Sequence, residues 1–154
     1  MGRVVAFLQN QWFKDPERAK RLLARYGPDR RHEFVKDMLF LGCLTGKRIE
    51  KAFGDLCDGI IFEDVSPEIG GKAASCFPAD FNHVLGVLDH FKPEVVLAFG
   101  KIAAGVFLGH GEQWANVKGR REFHVICGPH PAARHATVLM DLEGMATALR
   151  TRLG

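Results

Sequence analysis

Short apolar runs rich in β-branched residues recur along the chain, each separated from the next by a segment with helical periodicity. The runs occupy residues 3–8 (RVVAFL), 59–62 (GIIF), 94–99 (EVVLAF) and 123–127 (FHVIC). Strands with nearly continuous apolar residues are typical of parallel sheets that helices cover on both faces. The alternation therefore predicts an α/β fold, a three-layer α/β/α sandwich with a central, mostly parallel four-stranded sheet.

Helix boundaries are clearest after the first run. Asp15 is a suitable N-cap, Pro16 is tolerated at the first helical position, and Gly27 followed by Pro28 is a strong stop signal. This pattern predicts a helix that ends at Tyr26. Further helices are predicted over residues 46–53, within 78–90, from 100–101 onward, and over 138–149.

Length and composition favour one soluble domain over residues 1–154. The chain has 154 residues, of which 47% are hydrophobic and 25% charged, as in ordinary globular domains. The four cysteines form no CxxC pair, so the sequence predicts neither a metal site nor a cofactor. Because no apolar run reaches 18 residues and the start lacks a signal peptide, we expect a reduced, cytoplasmic protein that does not enter a membrane.

Basic residues are concentrated in the first third of the chain. Residues 1–51 carry 12 Lys and Arg against 6 Asp and Glu, whereas the remainder carries 9 against 12. Such an asymmetry suits a polyanionic partner such as DNA, because lysine and arginine near phosphates release counterions and steer encounter. A solvated helix face explains the same counts equally well.

Three of the predicted strands end in unusual polar segments. Residues 9–12 (QNQW) follow the first strand, Glu63 and Asp64 follow the second, and residues 128–131 (GPHP) follow the last. In open α/β sheets, ligands bind outside the carboxyl ends of the strands. We therefore expect these segments to converge on one site, although each residue alone has an ordinary structural role available.

Two of the segments resemble the signature motifs of the uracil-DNA glycosylase superfamily. Residues 8–12 (LQNQW) resemble its first motif, which takes forms such as GQDPY or GMNPG: Gln9 matches, Asn10 stands at the position of the catalytic acid, and Trp12 stands where Tyr is found. Residues 130–134 (HPAAR) resemble the second motif, HPSPL or HPSPR. Leu8 replaces the glycine of the first motif and Ala132 the serine of the second.

The segments between the motifs extend this resemblance over nearly the whole chain. Residues 40–47 (FLGCLTGK) resemble the PFVGxAGK segment of the iron–sulfur branches, with one residue inserted. Residues 76–78 and 91–103 resemble further segments of the same branches. Since only Cys76 falls on one of the four cluster-ligand positions, we expect a member without the cluster.

The resemblance implies a monomeric DNA-repair enzyme that flips uracil out of DNA and hydrolyses its bond to the sugar. His130 would donate a hydrogen bond to the departing uracil, and the carbonyl of Asn10 would orient the attacking water, with Asp15 as a reserve candidate. The implied substrate-binding residues are Gln9, Gln11, Trp12, Phe40 and Asp64. Because an amide is a poorer base than a carboxylate, we expect slower turnover than in relatives with Asp at this position.

Base recognition and DNA contact carry their own expectations. Phe40 would stack on the uracil, and Asp64 stands where relatives have an Asn that pairs with uracil N3–H and O4. One possibility is that burial keeps Asp64 protonated, and a protonated Asp64 would also tolerate cytosine. The other is that a backbone N–H donates to O4. Arg134 would fill the gap left by the flipped base. Lys101 begins a helix that either faces a phosphate or only packs on the sheet.

A second function class stays open. The presence of Asn10 and Asp64 at these two positions also fits a non-catalytic or differently specialised nucleic-acid-binding protein that has kept the fold. A nucleotide-processing α/β enzyme unrelated to repair is a more remote alternative. Excision of uracil from an oligonucleotide would distinguish a glycosylase from both of these alternatives.

Overall fold

A parallel sheet of four strands forms the centre of the protein. The computed structural model describes residues 3–72, 77–108 and 123–154. The sheet strands are β1 (Val4–Leu8), β3 (Ile60–Asp64), β5 (Val95–Phe99) and β6 (His124–Gly128), in the order β3-β1-β5-β6. All three neighbouring pairs are parallel. Every residue of the two inner strands, β1 and β5, is buried, which explains their continuous apolar sequences.

Helices pack on both faces of this sheet. The described ranges contain α1 (Pro16–Tyr26), α2 (Arg31–Leu39), α3 (Leu44–Phe53), α4 (Phe81–Phe91), α5 (Lys101–Leu108) and α6 (Val138–Leu153). One core joins α2, α3 and α6 to the sheet face that carries Val4, Ala6 and Leu8. The other core joins α4 and α5 to the face that carries Val5 and Phe7. The predicted three-layer α/β/α architecture is confirmed.

Local signals account for the ends of α1. The Asp15 side chain accepts a hydrogen bond from the Arg18 backbone N–H at 3.0 Å, which satisfies one of the unpaired donors of the first turn. Gly27 ends the helix at φ +79°, in the left-handed region that favours glycine. Both boundaries agree with the sequence prediction.

The structure differs from the sequence prediction at several points. Helix α2 was not indicated by the sequence, because only Phe34, Val35 and Leu39 of its nine residues are buried. Glu63 and Asp64 belong to strand β3 itself, not to the loop after it. Two further short strands, β2 (Gln11–Trp12) and β4 (Ile69–Gly70), pair in parallel beside the main sheet. None of the helices in the described ranges combines the length and apolarity that crossing a bilayer requires.

Candidate functional site at the carboxyl edge of the sheet

All four sheet strands end at the same edge, because all four run in parallel. Asn10 follows β1, and His130 follows β6 by two residues. Strand β5 lies between them and ends in Gly100. The segments that bear Asn10 and His130 therefore share the carboxyl edge, where parallel sheets of this kind bind ligands.

The loops after β1 and β3 are tied together by backbone hydrogen bonds. The Val65 N–H donates to Leu8 O at 2.8 Å, and the Ser66 N–H donates to Gln9 O at 3.0 Å. The β2–β4 pair continues this connection through Gln11 and Trp12. The predicted substrate-binding segment around Gln9 is thus held in a defined conformation beside the end of β3.

The side chains of Asn10, Gln11 and Trp12 differ in burial and in hydrogen bonding. Asn10 is half-buried, and its Nδ2 donates to Gln11 O at 3.1 Å. Its side-chain oxygen accepts no hydrogen bond from the residues described. The Oε1 atom of Gln11 is buried without a hydrogen-bond partner among those residues, and Trp12 is 45% exposed. Asn10 thus keeps an acceptor available, as orientation of a water molecule would require.

His130 is held as an uncharged ring. The Ala132 backbone N–H donates to its Nδ1 atom at 3.0 Å, so that in the neutral ring the proton lies on Nε2. Burial of the half-buried side chain lowers the pKa of His130 below the ordinary histidine value. At neutral pH the ring is therefore an uncharged hydrogen-bond donor through Nε2–H.

Two neighbouring elements fix the loop that carries His130. One guanidinium nitrogen of Arg48, on α3, donates to Pro131 O at 2.7 Å and to Ala133 O at 2.8 Å. Gly100 lies against the histidine, since a Cβ atom there would stand 3.2 Å from the His130 Cβ, and its φ of +92° also favours glycine. Neither contact was signalled by the sequence pattern, because each joins residues far apart in the chain.

Phe40 directly follows the last residue of α2 and packs edge-on against Phe62 of β3. The two ring centroids are 5.5 Å apart and the planes lie at 79°. Side chains two residues apart on a strand share a face, so Phe62 and Asp64 point to the same side of β3. The aromatic ring and the carboxylate that the resemblance assigns to base recognition therefore lie on one face of the sheet.

Asp64 belongs to a buried ionic cluster. It is 1% exposed, and Arg31 Nη2 lies 3.7 Å from its Oδ2. Glu63 lies beside it, with Arg31 Nε 3.3 Å and His83 Nε2 3.5 Å from its Oε1. Burial raises the pKa of Asp64 to about 7, with a further contribution from Glu63 that Arg31 and His83 oppose.

Several polar atoms of the cluster are buried and also lack a hydrogen-bond partner among the described residues. The Oδ2 atom of Asp64, both Nε and Nη2 of Arg31, and Nε2 of His83 are buried without hydrogen-bond partners among the described residues. A buried polar group without a partner carries a desolvation cost of about 1–3 kcal/mol. The sequence signalled neither Arg31 nor His83, because they reach Glu63 and Asp64 from other elements.

The remaining predicted site residues lie on the surface. Lys101 is exposed at the start of α5, directly after Gly100, and Arg134 is exposed four residues after His130. Lys101 thus adjoins Gly100, which lies against His130 in space, and Arg134 lies close to His130 in the chain. Asp15 is exposed and its carboxylate caps α1. Cys76 lies outside the described residues.

Two cavities lined by described residues lie at different places beside β3. One, of about 320 Å³, lies where α2 meets the start of β3 and includes Lys36 and Phe62 in its wall. The other, of about 450 Å³, lies beside the loop after β3 and includes Ser66 and Phe81. Neither wall contains Asn10, Phe40, Asp64 or His130. The pyrimidine-sized pocket between these four residues stays a prediction.

The fold and this edge define an α/β protein whose polar loops gather at the carboxyl ends of a parallel sheet. No protein-family model matches the chain, and a comparison with curated proteins finds none that is similar. Within the described ranges, no group of three His, Cys, Asp or Glu side chains is arranged to hold a metal ion.

Proposed function

We propose that the protein is a monofunctional uracil-DNA glycosylase, a monomeric DNA-repair hydrolase that removes uracil from DNA and leaves an abasic site. The observation that carries the proposal is the state of His130. An uncharged ring with its proton on Nε2, at the edge where the strand-end loops gather, suits donation to a base that leaves as an anion.

The reaction needs a donor at the base and water at the sugar. As the C1′–N1 bond breaks, its electron pair goes to uracil, and negative charge develops on O2 while the sugar gains oxocarbenium character. His130 Nε2–H stabilises that charge. A water molecule oriented by the Asn10 side-chain oxygen then forms the new bond to C1′, and its proton passes to solvent. The uracil anion is protonated after it leaves.

Recognition of the flipped base is assigned to Phe40 and Asp64, with Gln9, Gln11 and Trp12 around them. A flipped base is read by stacking on an apolar face and by hydrogen bonds to its Watson–Crick edge. With a pKa of about 7, Asp64 is protonated in a large fraction of molecules at neutral pH. A protonated carboxyl group accepts from uracil N3–H and donates to O4. The exposed cations Lys101 and Arg134 are assigned to the DNA.

Excision of uracil from a labelled oligonucleotide tests the proposal. Abasic sites are revealed by heat or alkali, and an oligonucleotide with thymine in place of uracil is the matched control. The His130→Ala variant should react about 10²–10³-fold more slowly, as expected when one donor to a developing anion is lost. Absence of excision by the wild-type protein would refute the proposed activity. Unimpaired excision by both His130→Ala and Asn10→Ala would refute the site assignment.

One observation favours a second candidate, a non-catalytic nucleic-acid-binding protein with the same fold. Asp64 is 1% exposed and paired with Arg31, so its carboxylate is closed to a ligand in this conformation. Such a protein would bind uracil-containing and ordinary DNA with equal affinity and excise neither. Binding measured by fluorescence anisotropy, beside the excision assay, distinguishes the two candidates.

A further inference from the structure

We propose that Arg48 is a positioning residue for His130, which fixes the loop that sets both the direction and the protonated nitrogen of the imidazole ring. The inference rests on the proposed role of His130 as the donor to the departing base. It is carried by an arginine that reaches from α3 to a loop more than 80 residues away in the chain.

Arg48 binds two backbone carbonyls in the loop segment that follows His130. Its Nη1 atom donates to Pro131 O at 2.7 Å and to Ala133 O at 2.8 Å, and the guanidinium group is partly buried. Hydrogen bonds from a charged donor are about twice as strong as those between neutral groups. Since the two carbonyls lie on either side of Ala132, a single cation fixes the backbone at this point.

The orientation of the Ala132 N–H decides which ring nitrogen of His130 carries the proton. That N–H donates to Nδ1 at 3.0 Å, and the next one, of Ala133, donates to His130 O at 2.9 Å. Both bonds depend on the turn that Arg48 holds. If the turn relaxes, Nδ1 loses its donor and the neutral ring is free to carry its proton on either nitrogen.

Helix α3 also connects this loop to Phe40. The close approach of Gly46 to Leu39 O ties the start of α3 to the end of α2, since a Cβ at position 46 would overlap that carbonyl. Cys43 strengthens the junction, because its Sγ donates to Leu39 O at 3.2 Å and accepts from the Gly46 N–H at 3.4 Å. Phe40 follows Leu39 directly. Arg48, two residues after Gly46 on the same helix, therefore sets the His130 loop relative to the proposed stacking ring.

The test compares Arg48→Met with Arg48→Lys and with Arg150→Met. Methionine keeps much of the apolar length of arginine but donates no hydrogen bond. Lysine restores a donor, and Lys36 of this chain shows that one ammonium group can donate to several carbonyls, those of Cys57, Asp58 and Ile60. Arg150 is the matched control because it too donates to a backbone carbonyl, Phe53 O at 3.4 Å, at the far end of α3.

Nitrogen NMR of the histidine side chains gives a readout that needs no substrate. In the wild type and in Arg150→Met, His130 should be protonated at Nε2 alone at neutral pH. In Arg48→Met it should become a mixture of both neutral forms, and Arg48→Lys should restore most of the wild-type signal. A His130 spectrum unchanged in the folded Arg48→Met variant would overturn the inference, even if the wild type excises uracil.

Single-turnover excision supplies the second readout. Arg48→Met should lower the rate of bond cleavage about a hundredfold with little change in DNA affinity, as expected for small misplacement of a catalytic group. Equal rates for Arg48→Met and Arg150→Met would overturn the role of Arg48 in the reaction. If the wild type excises no uracil, the proposed function fails, and the NMR comparison alone decides whether Arg48 positions His130.

Discussion

The wild-type protein should lose stability as the pH rises and Asp64 gives up its proton. Replacement of Asp64 by asparagine should remove most of this loss. Burial raises the pKa of Asp64 to about 7, about 3 units above the usual aspartate value. The folded protein therefore binds a proton at Asp64 that the unfolded chain releases near pH 4. Between about pH 4 and pH 7 folding takes up this proton, so the contribution of Asp64 to stability falls as the pH rises.

The size of the effect follows from the shift. At about 1.4 kcal/mol per pKa unit, 3 units correspond to about 4 kcal/mol between pH 4 and pH 8. The asparagine side chain of the variant does not titrate. We therefore compare the free energy of unfolding of Asp64→Asn minus that of the wild type. This difference should be about 4 kcal/mol larger at pH 8 than at pH 4.

Urea unfolding at several pH values, followed by tryptophan fluorescence, measures this difference. Titration of His130 is present in both proteins and largely cancels in the comparison. Asp55→Asn, which changes an exposed carboxylate, is the control and should follow the wild type at every pH. A difference between Asp64→Asn and the wild type that stays constant within about 1 kcal/mol from pH 4 to pH 8 would refute the reasoning.

Three further predictions concern the site and its support. Asn10→Asp should raise the rate of uracil excision at least about tenfold, because a carboxylate is a better general base than an amide; an unchanged or lower single-turnover rate would argue against the water-orienting role. Lys101→Ala and Arg134→Ala should each reduce the slope of log affinity against log salt by about 1, measured by anisotropy with duplex DNA, whereas unchanged slopes would exclude phosphate contacts. Gly46→Ala should lower the free energy of unfolding by roughly 2 kcal/mol or more, because the added Cβ overlaps Leu39 O; unfolding in urea at the wild-type midpoint would contradict this.

Local signals made the strands and α1 predictable. The inner strands are buried on both faces and must be apolar throughout, and α1 is bounded by a capping Asp15 and by Gly27. The start of α3 was predicted two residues late, at residue 46, because its N-cap is Cys43, whose Sγ accepts from the Gly46 N–H. Cysteine is not among the residues that usually mark a helix start.

Tertiary contacts were beyond the reach of the sequence pattern. Order along the chain indicated that Asn10 and His130 follow strands of one sheet, and the parallel topology brings both to one edge. Arg48 contacts the His130 loop over 83 and 85 residues, and no periodicity encodes such a contact. The ion pairs of Arg31 with Glu63 and Asp64 likewise arise only when α2 packs beside β3.

A crystal structure with free uracil bound tests the central claim most directly, because the claim is that the loops bearing Asn10, Phe40, Asp64 and His130 surround one base. The account predicts uracil stacked on the Phe40 ring, with O2 within hydrogen-bond distance of His130 Nε2 and the N3–H edge turned toward Asp64. Uracil bound in the cavity beside Ser66 and Phe81, or at any place that His130 does not contact, would contradict it.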